Sequence, residues 1–178
     1  MIIKDLIQIG NPKMNFRLKD VSDYKDPQVI KLIQDLKDTL YHHELVGIAS
    51  NQIGGKYRIF VTEVRKTSFR NPVDKDMLRI YVNPSIIRTS REMEEIYEGC
   101  GSVAYSKLMV KVKRPKEIKI KAFDEEGRES ILEAKGLLAR VILHEMDHLN
   151  NIEFIEKVDD WKSAMSSEEY KKRILNRK

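Results

Sequence analysis

The stretch that organises this chain is GLLARVILHEMDHL, residues 136–149, in which an apolar, helix-favouring run leads into His144-Glu145-Met146-Asp147-His148. Residues four apart lie on the same face of an α-helix, so the imidazoles of His144 and His148 can reach one metal ion. Glu145 follows the first histidine, where its carboxylate can handle the protons of a water molecule beside that ion. The stretch therefore predicts a helix that presents two metal ligands and a general base.

The rest of the chain predicts an α+β fold, with antiparallel strands packed around this central HExxH metal-binding helix. Asp26-Pro27 is typical of an N-cap followed by proline, and apolar residues then recur at helical spacing, which predicts an N-terminal helix over 27–43. Ser166-Ser167-Glu168-Glu169 is expected to open a C-terminal helix. Alternation and turn signals predict strands at 57–64, 78–82, 109–113, 117–123 and 130–134.

Length and composition indicate a single domain over 1–178, of which about 163–178 form a basic C-terminal helix or tail. The chain is 41% hydrophobic and 34% charged, and no apolar run approaches the roughly 20 residues that span a bilayer. No signal peptide is expected from the first residues, and a single cysteine fits a reducing compartment. We therefore expect a cytoplasmic protein with no membrane partner.

The net charge of +5 has part of its excess in the tail, residues 170–178. Such a tail is compatible with an acidic surface or RNA as partner, but a solvated helix end that complements the helix dipole is the more common explanation. It carries no pattern for sequence-specific nucleic-acid binding.

Two histidines do not complete a catalytic site, which usually takes three protein ligands. The other two histidines, His42-His43, lie at the end of the first predicted helix, where capping or solvent-facing roles are expected. The position of a third metzincin histidine is Phe154. Glu168-Glu169 stand at a thermolysin-like distance, but in a charged segment. Cys100 is the other candidate, because a thiolate suits a borderline metal and its flanking glycines allow close approach.

The chain resembles the peptide deformylases in three segments that appear in the family's order and spacing. The HExDH segment is His144–His148, the EGCLS segment is Glu98–Ser102, and the GxGxAAPQ segment is Leu45–Gln52. The resemblance covers nearly the whole chain except the last twenty or so residues. HExxH alone occurs by chance in many proteins, whereas the three segments together are highly specific.

The resemblance implies one divalent metal ion held by Cys100, His144 and His148, with Fe(II) as the cellular metal and Zn, Ni or Co able to replace it. It implies Glu145 as general base and the Gln52 amide and Gly101 N–H as donors to the oxyanion. The substrates would be N-formylmethionyl peptides, and the products formate and a free N-terminal methionine. Residues implied in substrate binding are Val46 and Gly47 along the cleft, and Ile96, Leu137 and Val141 around the methionine side chain.

Several positions depart from the family's pattern without removing a metal ligand or the general base. They are Leu45, Ser50, Asn51, Gly101, Ala104, Leu143 and Asn151. These changes reshape the cleft, and the basic residue that contacts the peptide in the family has only Lys107 as a candidate here. In the bacterial family the C-terminal extension docks on the ribosome, and the basic tail is compatible with that role.

Three other functions stay open at this point. The first is a related amidohydrolase that acts on a different N-acyl group, because formyl specificity depends on a narrow opening near the metal. The second is a ribosome- or RNA-associated binding protein with a decayed site, although drift would not be expected to spare every implied catalytic residue. The third is a thermolysin-like endopeptidase, which replacement of Cys100 compared with replacement of Glu168-Glu169 would separate.

Overall fold

The computed structural model describes residues 3–176 as strands, three α-helices and several short 3-10 turns. The helices are α1 (Pro27–His42), α2 (Gly136–Leu149) and α3 (Ser167–Tyr170), the last running into a π-helical turn over Lys171–Leu175. The strands are β1 (Gly47–Ala49), β2 (Ile59–Thr62), β3 (Arg79–Thr89), β4 (Met93–Glu98), β5 (Leu108–Pro115), β6 (Glu117–Phe123), β7 (Glu129–Lys135) and β8 (Met165–Ser166). No helix among the described residues has the length and apolar character needed to cross a membrane.

The strands form two antiparallel sheets, which agrees with the α+β fold predicted from the sequence. The larger sheet has the order β1-β2-β3-β6-β7, and the smaller has the order β4-β5-β8. Helix α2 contacts strands of both sheets, so residues from both sheets surround it. This arrangement brings the loop after β4, which contains the only cysteine, next to α2.

Alternation along the strands gives the larger sheet two apolar faces, because successive side chains point to opposite sides. Ile59 and Val61 of β2 pack with the buried face of α1, which includes Ile33 and Leu36. Phe60, between them, packs in a separate cluster with the buried face of α2, which includes Ala139, Ile142 and Met146. A third apolar cluster includes the cysteine, and its buried members are Cys100, Val103, Val110, Val112 and Phe154.

The ends of the two long helices follow from their capping residues. The Asp26 carboxylate accepts a hydrogen bond from the N–H of Gln28 at 2.8 Å, which satisfies one free donor of the first turn of α1. Helix α2 has the predicted bounds, and Asn151 just after it adopts a left-handed conformation with φ 57°. Asparagine tolerates this conformation, which is common after helix ends.

Four strands differ most from the prediction, and two of these are the short strands β1 and β8, which were not predicted. Strand β3 was expected to end at Asn83-Pro84 but continues to Thr89, with register shifts that accommodate the proline. Asn83 has φ 48°, and its side chain bonds both the N–H and the carbonyl of Val21, which stabilises the irregularity. Strand β4 was not predicted at all, because half of its six residues are glutamates and its outer face is exposed.

Candidate metal centre

Cys100, His144 and His148 come together at one point between α2 and the loop after β4. Their candidate ligand atoms all lie within 4.8 Å of one another, and no other such group of three occurs among residues 3–176. The Sγ of Cys100 is 3.2 Å from Nε2 of His148. The two histidines are one turn apart on α2, as their spacing predicted, and the cysteine supplies the third vertex.

The charges in this cluster favour a cation at its centre. Burial on its own raises the pKa of the Cys100 thiol, but the facing imidazoles of His148 and His144 outweigh it and lower that pKa to about 6. Burial on its own lowers the pKa of His144, but Cys100 and Glu98 raise it to about 9. The thiolate thus stabilises positive charge on the imidazoles, and a divalent ion would take the place of their protons.

The surroundings of the thiolate also fit a bound transition metal. The Gln52 side-chain amide and the Ser102 backbone N–H each lie 3.4 Å from Sγ, so both point donors at the thiolate. The Oε2 atom of Glu145 is buried and has no hydrogen-bond partner, as expected for a group that meets a water molecule or a substrate. One thiolate with two imidazoles suits Fe(II), Zn, Ni and Co, so the residues fit one such ion.

A buried charge network fixes the orientation of His144. Its Nδ1–H donates to the carboxylate of Glu98 at 3.0 Å, which leaves Nε2 to face the cluster. Glu98 accepts further bonds from Arg114 at 2.6 and 3.0 Å and from Arg140 at 2.7 Å. Arg114 also donates to Asp147 at 2.7 Å, so Asp147 supports the ligand through two intermediate groups. Such partners of a metal ligand set its tautomer and its basicity.

Sequence patterns did not assign a role to Glu98, Arg114 or Arg140, although one signal was present. Arg140 interrupts the apolar run 137–143, and a charged residue on a buried helix face requires a charged partner. Burial on its own raises the pKa of Glu98, but hydrogen bonds from His144 and Arg114 outweigh it and hold the pKa well below its usual range. Glu98 is therefore a permanent anion in this site.

His148 is held from two other directions. Its Nδ1 lies 3.6 Å from Oε2 of Glu153, which stands just after the helix. The Asn51 side chain donates to the carbonyl of His148 at 2.8 Å and to that of Met14 at 3.1 Å. Asn51 is one of the departures from the family's pattern, and here it ties the end of α2 to two loops.

The Glu145 carboxylate lies against Gly47, the first residue of β1. Loss of solvation raises its pKa to about 7, and the neighbouring histidines reduce this effect. A Cβ atom on Gly47 would stand 2.5 Å from Oε1 of Glu145, so only glycine leaves room for this carboxylate. Any side chain at position 47 would therefore displace the Glu145 carboxylate.

Gln52 and Gly101 present hydrogen-bond donors next to the cysteine. The Oε1 of Gln52 accepts from the N–H of Ala49 at 2.8 Å, which turns its Nε2 toward Cys100 and Ser102. The N–H of Gly101 has no hydrogen-bond partner within residues 3–176, while its carbonyl accepts from Gln8. The Gly101 N–H is thus free for an acceptor in the cleft, whereas the Gln52 amide would have to exchange its bond to Ser102 or Cys100 for such an acceptor.

A cavity of about 70 Å³ opens beside the cluster. Among the residues that sequence patterns nominated, those lining it are Val46, Gly47, Gln52, Cys100, Gly101, Leu137, Val141, His144 and Glu145. His148 is buried and does not line the cavity. Neither Ile96, which is half-buried on β4, nor Lys107 lines the cavity, whereas Arg70 and Arg140 do. The cavity wall is therefore less apolar than the sequence predicted.

The competing ligand candidates lie elsewhere. His43 is the C-cap of α1, and its Nε2 stands 3.2 Å from the carbonyl of Lys4. Glu168-Glu169 are exposed in the first turn of α3 and do not belong to the metal cluster. The geometry thus favours Cys100 as third ligand over the thermolysin-like arrangement.

Comparison with known proteins gives one consistent family. The model of the polypeptide deformylase family matches residues 3–164. The peptide deformylase of Natranaerobius thermophilus is 34% identical over 160 residues, which cover 90% of this chain and 95% of that protein. That of Brucella suis biovar 1 is 32% identical over 172 residues, covering 97% and 94%.

Solved structures agree with this result. The class I type b peptide deformylase of Acinetobacter baumannii with bound Met-Ala-Ser matches with a TM-score of 0.83 and 26% identity, covering 88% of this chain and 99% of that one. The peptide deformylase of Synechococcus elongatus in complex with actinonin has a TM-score of 0.79 and 31% identity, covering 90% and 83%.

Proposed function

The chain belongs to the polypeptide deformylase family, and from this premise we propose how its residues remove the N-formyl group from newly made peptides. The reaction hydrolyses the formyl amide of an N-terminal methionine and releases formate and a free amine. The observation that carries this function is the meeting of Cys100, His144, His148 and Glu145 at one small cavity.

Helix α2 would be the central metal-binding helix, and Cys100, His144 and His148 would hold one divalent ion. When bound, this ion supplies a water molecule of lowered pKa and polarises the formyl carbonyl. We propose Fe(II) as the cellular metal, with Zn, Ni or Co able to occupy the same ligands. Glu98 keeps the His144 ring in the tautomer that directs Nε2 at the site.

Glu145 acts as the general base and then as the general acid. Its carboxylate takes a proton from the attacking water and returns it to the nitrogen of the leaving amine. Loss of solvation raises its pKa to about 7, which is close to neutral pH and suits a group that must do both. The glycine at position 47 leaves the carboxylate the room that it needs at the cleft.

Gln52 and Gly101 stabilise the negative charge that develops on the formyl oxygen. The Nε2 group of Gln52 lies 3.4 Å from Sγ of Cys100, and both Gln52 and Gly101 line the cavity. The Gly101 N–H is unpaired within residues 3–176, whereas the Gln52 amide exchanges its bond to Ser102 for one to the formyl oxygen as charge develops there. Glycine in place of the family's leucine at 101 keeps this donor, since it belongs to the backbone.

Substrate is proposed to bind along Val46 and Gly47, with the methionine side chain directed at Leu137 and Val141. A thioether adapts well to such aliphatic walls. Ile96, which was predicted for this pocket, does not line the cavity and has no part in the proposal. The Acinetobacter baumannii protein with bound Met-Ala-Ser supports the expectation that a peptide starting with methionine occupies this cleft.

The test is formate release from formyl-Met-Ala-Ser by anaerobically purified, Fe(II)-loaded protein. Acetyl-Met-Ala-Ser serves as the second substrate, because hydrolysis of the acetyl peptide at a similar rate would indicate a different N-acyl specificity. The control is Glu145→Gln, which should bind metal normally and release no formate. Turnover by this variant would contradict the general-base role.

We further propose that the protein works in the cytoplasm, where new peptides arise, and that its basic C-terminal segment contacts the ribosome. Lys171, Lys172 and Arg173 support this proposal as a cluster of cations in the last turn. Co-sedimentation of the full chain with ribosomes tests it, with a variant carrying glutamine at these three positions as control.

A further inference from the structure

We infer that Arg70 binds the main chain of the peptide substrate beyond its first residue. This inference rests on the proposed function and assigns a substrate-binding residue that the family motifs in this chain do not contain. Arg70 lies in the long connection between β2 and β3, far in sequence from the three motif segments. It is half-buried at the wall of the cavity that contains Cys100 and Glu145.

The active-site cleft continues past Arg70 into a second cavity of about 70 Å³. The two cavities share four lining residues, namely Leu45, Val46, Arg70 and Gly99. The second cavity is further lined by Phe69, Ser106 and Met109, none of which lines the first cavity. Arg70 therefore stands where the two cavities meet, and a peptide that leaves the first cavity for the second must pass its side chain.

The guanidinium group of Arg70 has donors to spare. It donates one bond, from Nη2 to the carbonyl of Tyr97 at 3.3 Å, and no carboxylate pairs with it within residues 3–176. By comparison, Arg65 on the same connection and Arg79 at the start of β3 each pair with a neighbouring carboxylate. A guanidinium carries five N–H groups, so Arg70 retains several for an acceptor in the cleft.

Two sets of contacts hold the turn that contains Arg70 in place. Thr67 and Arg70 exchange backbone hydrogen bonds at 2.9 and 3.4 Å, which closes a tight turn around Ser68 and Phe69. The ammonium of Lys171 lies over the Phe69 ring, 3.9 Å from its centroid. This cation–π contact ties the turn to the C-terminal segment. Arg70 is consequently presented to the cleft by a braced turn.

The chemistry at this point suits an extended peptide. The junction lies beyond the cavity that contains Cys100 and Glu145, and a strand advances about 3.3 Å per residue. We therefore place the contact at the second or third residue of a peptide whose formyl group lies at the metal site. Its main-chain carbonyls are the acceptors common to every sequence. A charged donor on a carbonyl gives affinity without selecting a side chain, as a processing enzyme for many peptides requires.

The test compares substrates that do and do not reach Arg70. For Arg70→Ala, KM for formyl-Met-Ala-Ser amide should rise by about tenfold or more, as expected for the loss of a charged hydrogen bond, while kcat stays within about twofold. KM for formylmethionine amide, which ends before the junction, should not change. Arg70→Lys should recover part of the affinity, because it restores the charge without the forked geometry.

The matched control is Lys66→Ala, which removes an exposed cation from the same connection and leaves the cavity lining intact. It should behave as the parent protein with both substrates. Equal losses on the short and long substrates in Arg70→Ala would overturn the inference, since they would indicate a structural effect on the site. A loss confined to the free acid form of formyl-Met-Ala-Ser would also overturn it, because the partner would then be a terminal carboxylate.

A second readout separates this inference from the proposed function. Calorimetry measures the binding of Met-Ala-Ser amide, and it requires no turnover. Binding to the metal-loaded parent protein that weakens about tenfold or more in Arg70→Ala supports the inference even if formate release fails. Equal binding to both proteins, or no binding to either, contradicts it.

Discussion

Replacement of Glu98 by Gln is the sharpest test of the buried charge network. The Glu98 side chain is only 3% exposed and accepts from Arg114, Arg140 and His144. Glutamine keeps the size of the side chain but removes the charge, and its amide hydrogens meet guanidinium donors. Arg114 retains Asp147 as a partner, whereas Arg140 loses its only carboxylate among the described residues. The variant thus leaves a buried cation without its counter-ion.

Removing one partner of a buried ion pair costs about 3–5 kcal/mol, and this estimate applies here because the surviving arginines stay 4–5% exposed. Urea unfolding should detect a midpoint lower by roughly 2 M, given the usual dependence on denaturant for domains of this size. Loss of the partner of His144 should also weaken metal affinity by about 10–100-fold. Competition with a chelator measures that second effect.

Glu95→Gln is the matched control, because Glu95 lies on the same strand but forms an exposed pair with Lys111 at 3.6 Å. An exposed pair contributes at most about 1 kcal/mol, so its midpoint should hardly move. If Glu98→Gln is no less stable than Glu95→Gln, the network does not stabilise the site and the reasoning from burial and pairing fails.

The remaining predictions concern acid stability and the cleft. The folded-state pKa of Glu98 lies below its ordinary value of 4.5, so Glu98 contributes fully to the free energy of unfolding above pH 4.5 and loses this contribution as the pH falls further. Urea midpoints between pH 7 and pH 3 should therefore decline more steeply in the parent protein than in Glu98→Gln. Gly47→Ala should lower kcat while leaving metal bound, because a Cβ atom 2.5 Å from Oε1 displaces the Glu145 carboxylate; unchanged kinetics would show that the segment has room to move. Gln52→Ala should reduce kcat by about 10²–10³-fold with formyl-Met-Ala-Ser, as for the loss of one oxyanion donor, and a change in KM alone would assign Gln52 to binding instead.

The two long helices were predictable because their residues repeat a single local pattern. Helix α1 has a proline after a capping aspartate and buries one face, and α2 has an apolar run that ends in polar residues. Both patterns relate residues within about four positions of each other, so the sequence alone indicates the helix. The two histidines of the metal site were visible for the same reason, since they lie one turn apart.

Long-range contacts account for what the sequence did not reveal. Strand β4 forms because its partner β5 lies on one side, although its glutamates disfavour a strand locally. The role of Glu98 depends on residues 16 to 46 positions away, and no spacing rule reports such distances. Asn83-Pro84 indicated a strand end, yet the Asn83 side chain stabilises a bulge by binding Val21. In each of these three cases, contacts with distant residues determine a structure or role that the local sequence does not indicate.

The cleft also combines residues that local motifs predicted with residues that only long-range contacts bring there. Motif residues such as Gly47, Gln52 and Cys100 meet at one cavity, as the family's pattern predicted. Arg70 and Arg140 line it without belonging to any motif, because their positions depend on a connecting loop and on the partner of a buried helix face. Asn51, which departs from the family's pattern, donates a hydrogen bond to the carbonyl of His148 in α2. Gly101, which also departs from it, keeps the backbone N–H at that position.

The most direct measurement of the central claim is formate release as a function of bound metal. Metal-free protein is titrated anaerobically with Fe(II), and bound iron and turnover of formyl-Met-Ala-Ser are measured on the same samples, with Cys100→Ser alongside. Turnover should rise in proportion to bound iron and saturate at one ion per chain, and the variant should neither hold the ion tightly nor release formate. Full turnover in metal-free protein, or undiminished turnover in Cys100→Ser, would contradict the proposed Cys–His–His centre.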